Sequence, residues 1–185
     1  MNKKILEWPD RKLSIVSTLV NEEDDYKKII KDLKDTLKIS RGLGLSAPQI
    51  GYFKRIFILD LSSYDVNPFE TDVPVFINPS IELSGDMMKW KEGCLSVDWK
   101  GENIERFSKC TIKYLNEDFS QCNITAAWPF SGILQHEYDH LDGVLYVNHL
   151  TPFKKGRIRK KITKRIKLKN RAAKRAEYLR RKNYE

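Results

Sequence analysis

Apolar residues recur at helical spacing once in the first third of the chain and at strand spacing for most of the middle. Tyr26, Ile29, Ile30, Leu33 and Leu37 share one face of a 3.6-residue repeat. Asn21, followed by Glu22, Glu23 and Asp24, offers an N-cap and an acidic first turn, so a helix is predicted from Asn21 to Ser40. Runs rich in Ile, Val, Phe and Tyr then predict strands at Arg55 to Leu61, Val73 to Asn78, Ile81 to Ser84 and Trp90 to Ser96. Phe107 to Leu115 and Cys122 to Ala127 predict a hairpin across Asn116-Glu117-Asp118, and Ser62 to Thr71 is a polar loop without a motif. A second helix follows where Leu134, Tyr138 and Leu141 share a face, opened by Pro129 or Ser131 and closed by Gly143. A third starts at Thr151-Pro152, with a narrow apolar stripe at Ile158, Ile162 and Ile166, then Ala173 and Ala176. Strands before and around a buried helix predict an α+β fold: mixed, mainly antiparallel sheets around a central helix, with a basic C-terminal helix. There is no internal repeat and no low-complexity linker.

With 185 residues the chain is long enough for one domain with a sizeable core plus an appendage. Charge places the boundary: residues 1–150 form the domain and 151–185 a basic extension. Thr151 to Glu185 hold 16 Lys or Arg against two Glu, a balance of +14, so the remainder of a chain whose net charge is +9 carries -5. Nucleic acid is the partner such a segment implies. A solvated helix that aids solubility and a helix lying on an anionic membrane are the alternatives. The three cysteines, at 94, 110 and 122, are an odd number and make no secreted disulfide framework; Cys110 and Cys122 are expected inside strands. No segment has the form of a signal peptide and no run is apolar for the 18 or so residues a membrane span requires, so the expected location is cytoplasmic.

Candidate chemistry concentrates in three segments. In Gln135-His136-Glu137-Tyr138-Asp139-His140, His136 and His140 stand four apart, on one helix face, where two imidazoles can share a metal ion. Only three histidines occur in the chain and two fall in this motif. Catalytic sites usually take three protein ligands and leave a position for water; Cys94, in Glu92-Gly93-Cys94-Leu95-Ser96, is the candidate third. That set implies hydrolysis. In Gly42-Leu43-Gly44-Leu45-Ser46-Ala47-Pro48-Gln49, small residues allow close backbone approach, as to an extended peptide. It is not a dinucleotide fingerprint, because the third glycine is missing and no helix opens directly after it.

The three motifs GLGLSAPQ, EGCLS and QHEYDH, in that order and spacing, resemble those of peptide deformylases. Ile5 to Asp10 resembles that family's opening strand, and Gly143 to Val147 its exit from the metal-binding helix; the likeness covers residues 1 to 150. It implies removal of the formyl group from the N-terminal formylmethionine of nascent polypeptides, with release of formate. It implies Cys94, His136 and His140 as ligands of one divalent metal, Fe(II) in the cell, with Zn, Ni or Co able to occupy the site in purified protein; the donor set alone does not choose among them. Glu137, turned about 100° from His136 on the helix, is the general acid/base candidate. Gln49 and the backbone N–H of Leu95 are the implied oxyanion donors, Gly44 a substrate-backbone contact, and Leu43 and Ile133 the lining of the methionine pocket. Glu92 and Arg106 match a pair beside the ligand cysteine. The chain departs from the usual pattern at Ser46, Asp98 and Gly101, which bears on loop shape and substrate affinity. The family's C-terminal extension implies a ribosome contact near the exit tunnel for the basic helix. Two readings from other classes stand beside this one: a zincin-like metallopeptidase, whose third ligand lies downstream and for which His149 is the available residue, and a catalytically silent RNA-binding protein driven by the tail.

Overall fold

The structure, a computed structural model, describes residues 2–65, 67–69 and 71–182. The chain forms two compact units, Met1–His149 and Leu150–Glu185. The first is α+β, built on one antiparallel sheet whose five strands lie in chain order: β1 Gly44–Ser46, β2 Ile56–Leu59, β3 Val75–Cys94, β4 Val97–Leu115 and β5 Gln121–Ala127.

Two helices cover this sheet and explain why β2 reads as the unbroken apolar run Ile56-Phe57-Ile58-Leu59. Helix α1, Tyr26–Ser40, buries Ile29, Ile30, Leu33 and Leu37 in a cluster with Ile56, Ile58, Val75 and Ile77. Phe57, Leu59 and Phe76 point the other way and join Ile133, Leu134 and Leu141 of helix α2, Phe130–Leu141. Successive strand residues face opposite sides, so a strand buried on both must be apolar throughout.

The helix α1 begins later than Asn21. Asn21 N–H donates to Asp24 Oδ2 at 2.8 Å and Asp24 N–H to Asn21 O at 3.0 Å, closing a turn, while Asp24 also holds Lys54 Nζ at 2.7 Å. The Asp24 side chain, expected in the first turn of the helix, is thus spent on a turn before it. The segments 73–78, 81–84 and 90–96, expected as separate strands, fall in the single strand β3 except at residues 73, 74, 95 and 96, and its partner β4 starts at Val97 rather than Phe107. Pro79 and Gly85, which read as strand ends, lie instead at irregularities: the register shifts between Ile77 and Ser80 and again between Ser84 and Met87. Bulges let a long hairpin change direction without ending. The predicted opening strand Ile5 to Asp10 joins no ladder; Leu6 N–H donates to Gln49 O at 2.8 Å and Trp8 N–H to Ser96 O at 2.7 Å, so this extended segment ties two separate loops.

Helix α2 opens directly after Pro129, and Gly143 follows its end with φ 70° and its N–H on His140 O at 3.2 Å. In the second unit, helix α3 runs Pro152–Lys182, and every residue from Lys167 to Arg180 is exposed; residues 183–185 of the tail lie outside the described residues. Among the described residues no helix is long and apolar enough to cross a membrane.

Gly143 meets two constraints at once, a left-handed backbone and Ser14 O only 2.6 Å from where a Cβ would stand. Gly143→Ala is expected to cost roughly 1–3 kcal/mol in chemical denaturation, more than a Gly→Ala change at an unconstrained site, which stabilises.

Candidate active site and metal centre

Helix α2 and the end of β3 bring Cys94, His136 and His140 together, with their ligand atoms all within 4.8 Å of one another. Cys94 Sγ is 3.3 Å from His140 Nε2, close to the roughly 3.5 Å that separates two donors bonded to one tetrahedral ion at about 2.0–2.3 Å. His136 Nδ1 lies 2.8 Å from Glu92 Oε2. A carboxylate only accepts, so Nδ1 carries the proton and Nε2 is left as the ligand atom. Burial alone would raise the Cys94 thiol, but the charge of His140 and hydrogen bonds from both histidines outweigh it and bring its pKa down to about 6. A thiolate available at neutral pH with two imidazoles beside it fits a divalent metal ion.

The support for His136 extends outward through a chain of charges. Burial raises the Glu92 carboxyl, yet hydrogen bonds from His136 and Arg106 overcome this and hold it down at about 2. Arg106 grips Glu92 with Nε on Oε1 at 2.7 Å and Nη2 on Oε2 at 3.2 Å, and Trp90 Nε1 adds a third donor at 3.1 Å. The other face of Arg106 donates to Asp139 Oδ2 at 2.7 Å, and His149 Nε2 reaches the same oxygen at 2.7 Å. His149 is therefore committed to Asp139 and stands apart from the three-residue cluster, so the zincin arrangement with a downstream ligand does not form.

Glu137, the residue between the ligands' turns, is buried against β1. Its Oε2 accepts from Ser46 Oγ at 2.6 Å, and its Oε1 lies 2.5 Å from where a Cβ on Gly44 would stand. Any side chain at 44 would displace the carboxylate. Gln49 Oε1 accepts from Ser46 N–H at 2.8 Å, which turns its Nε2 toward Ser96 Oγ at 3.1 Å and Cys94 Sγ at 3.5 Å. A cavity of about 430 Å³ opens over these groups. Leu43, Gly44, Gln49, Cys94, Leu95, Ile133, His136 and Glu137, all singled out in the sequence, line it; Arg41, Trp90 and Lys91 were not. His140 lies beneath as a buried member of the cluster. The Ser46–Glu137 bond, between residues 91 apart, and the Asp139–His149 extension, between residues ten apart, carry no motif in the sequence.

An α+β domain holding one thiolate, two histidines and an adjacent carboxylate beneath a cavity defines a metal-dependent hydrolase. The polypeptide deformylase family model matches residues 2–156. A peptide deformylase of Pseudomonas aeruginosa is 40% identical over 162 residues, 86% of this chain and 94% of that protein. The crystal structure of a peptide deformylase from Legionella pneumophila superposes with a TM-score of 0.81 at 34% identity, covering 92% of this chain and 99% of that one. The peptide deformylase from Ehrlichia chaffeensis in complex with actinonin superposes with a TM-score of 0.81 at 32% identity over 89% of this chain and 97% of that one. The chain belongs to the peptide deformylase family, and its activity is the family's metal-dependent removal of N-terminal formyl groups from polypeptides.

Glu92 couples the site to acid. Its pKa falls from 4.5 to about 2 on folding, so its stabilisation is complete above pH 4.5 and is lost as pH drops through 2. Metal-free Glu92→Gln is expected to be less stable than the wild type by about 3 kcal/mol near pH 7. The gap measured by denaturant titration should close progressively between pH 4.5 and 2.

Proposed function

We propose that residues 1–150 are the catalytic domain and that it hydrolyses the formyl amide of N-formylmethionyl nascent polypeptides, releasing formate. What supports this most is the convergence of Cys94, His136 and His140 with the Glu137 carboxylate at a cavity lined by all of these but His140, beside the edge strand β1. Cys94, His136 and His140 would hold one divalent ion, Fe(II) in the cell and Zn, Ni or Co where these replace it, and it would supply Lewis acidity that makes water a better nucleophile near neutral pH. Ser46 occupies Glu137 Oε2, leaving Oε1 to take the proton from the attacking water and return it to the departing amine. As the formyl oxygen becomes anionic, Gln49 Nε2 and the Leu95 N–H donate to it; the fixed amide of Gln49 needs no reorganisation at that moment. Gly44, on an edge strand, offers main-chain groups to the extended substrate, and Leu43 and Ile133 flank its methionine side chain.

The basic extension, residues 151–185, anchors the enzyme to ribosomal RNA near the exit tunnel in the cytoplasm. Its support is the balance of +14 and the exposure of helix α3 from Lys167 to Arg180.

Formate release from a formyl-Met peptide tests the roles. Cys94→Ala is expected to lose metal and turnover together, whereas Glu137→Gln keeps the metal and loses roughly 10²- to 10⁴-fold in kcat. Metal loss in the Glu137 variant would make it a ligand instead. For the extension, replacing Lys167, Lys169, Arg171, Lys174 and Arg175 with Gln should weaken co-sedimentation with ribosomes and flatten its dependence on salt between about 50 and 200 mM. Turnover of a short formylpeptide should hold; unchanged sedimentation would reduce the segment to a solvated helix.

A further inference from the structure

We infer that Arg41 and Lys91 make the mouth of the cavity selective for formylated chains that carry an aspartate or glutamate just after the first residue. The inference rests on the deformylase reading of this cavity and adds the class of polypeptide it prefers. Both residues line the same cavity as Cys94, His136 and Glu137, and both are exposed. They come from different elements, Arg41 from the residues leading into β1 and Lys91 from β3. A substrate whose formyl end lies at Glu137 and whose backbone follows the edge of β1 occupies the cavity that these two residues line.

The charge at this mouth is uncompensated. The cavity's two acids are already committed: Glu92 to Arg106 and His136, and Glu137 to Ser46. Among the described residues neither Arg41 nor Lys91 has an ion-pair partner. On β3 the neighbouring Lys89 pairs with Glu105 at 3.5 Å, but the cross-strand partner of Lys91 is the uncharged Asn103. The stem of Lys91 lies across Gly101, with Cγ 3.4 Å from where a Cβ would stand there, a space that residue leaves open. Arg41 ends helix α1 at φ 55° and ψ 35°, a left-handed conformation that glycine adopts without strain and arginine does not. The strained residue at the rim carries the charge, and Gly42, without positive φ, comes after it.

Two cations lining one cavity, neither with an ion-pair partner among the described residues, suit a carboxylate extending from the substrate's second residue. Exposed pairs are weak, so each is expected to give about threefold in kcat/KM and the two together roughly tenfold. The test measures kcat and KM for full-length, metal-loaded protein on formyl-Met peptides matched in length, with Glu, Gln or Lys after methionine. The wild type should favour Glu over Lys by about tenfold, through KM rather than kcat, and the preference should shrink as salt screens the charges. R41E and K91E should each lower the Glu-to-Lys ratio, with R41Q and K91Q intermediate. A wild-type ratio near one at low salt would overturn the inference, and so would a preference that survives both charge reversals. Absence of turnover on all three peptides would instead bring down the deformylase reading itself.

Discussion

A buried guanidinium organises this site. Arg106 is almost fully enclosed, and a charge in that position is tolerable only with partners on every side. It takes them from two elements, Glu92 on β3 and Asp139 on α2. The consequence passes to the metal centre because the Glu92 oxygen that receives Arg106 Nη2 also receives the proton on His136 Nδ1. Strand register, helix placement and imidazole tautomer are thereby set by one cluster of charges. His149 extends the cluster to the surface through Asp139, whose carboxyl is held below its usual range by His149 and Arg106 against the opposing effect of burial.

The second dependence is steric. Gly44 and Ser46 are two apart on β1, so they share a face, and Leu45 between them is buried in the opposite core cluster. Gly44 lets the Glu137 carboxylate come into contact with the strand, and Ser46 then fixes one of its oxygens with a hydrogen bond. The backbone N–H of the same serine orients Gln49. One three-residue strand and the turn after it thus place the acid/base candidate, a main-chain edge and an amide donor together, which is why these residue types recur so closely in the chain.

What could be read from the chain follows the range of each interaction. His136, Glu137 and His140 are legible because a helix converts a spacing of four into proximity. Cys94 is legible only as a candidate ligand by donor type, and the roles of Gln49 and Gly44 come through the family likeness, since nothing local brings positions 44, 94 and 136 together. The apolar stripe of α1 was plain, but its start was displaced where Asp24 bonds to Asn21 and Lys54 rather than to the helix. The first half of β4, with Asp98, Lys100, Glu102 and Glu105 between its apolar residues, hides as a polar stretch, and Pro79 and Gly85 disguise bulges as strand ends. Arg41 and Lys91 carry no motif at all, and only the cavity connects them.

Charge acts on this enzyme at two ranges with opposite signs. Outside the basic extension the chain carries -5, although the whole chain carries +9, so the catalytic unit taken by itself repels acidic polypeptides at a distance. Such repulsion is diffuse and fades beyond the Debye length, about 8 Å at physiological ionic strength. Arg41 and Lys91 line the cavity itself, so a chain seated there meets them inside that length, and among the described residues neither has an ion-pair partner. Local cations can therefore reverse the sign of the discrimination once the substrate is seated. The binding face and the whole unit need not agree in charge, because contact chemistry rather than net charge decides which residues are accepted next to the reacting bond.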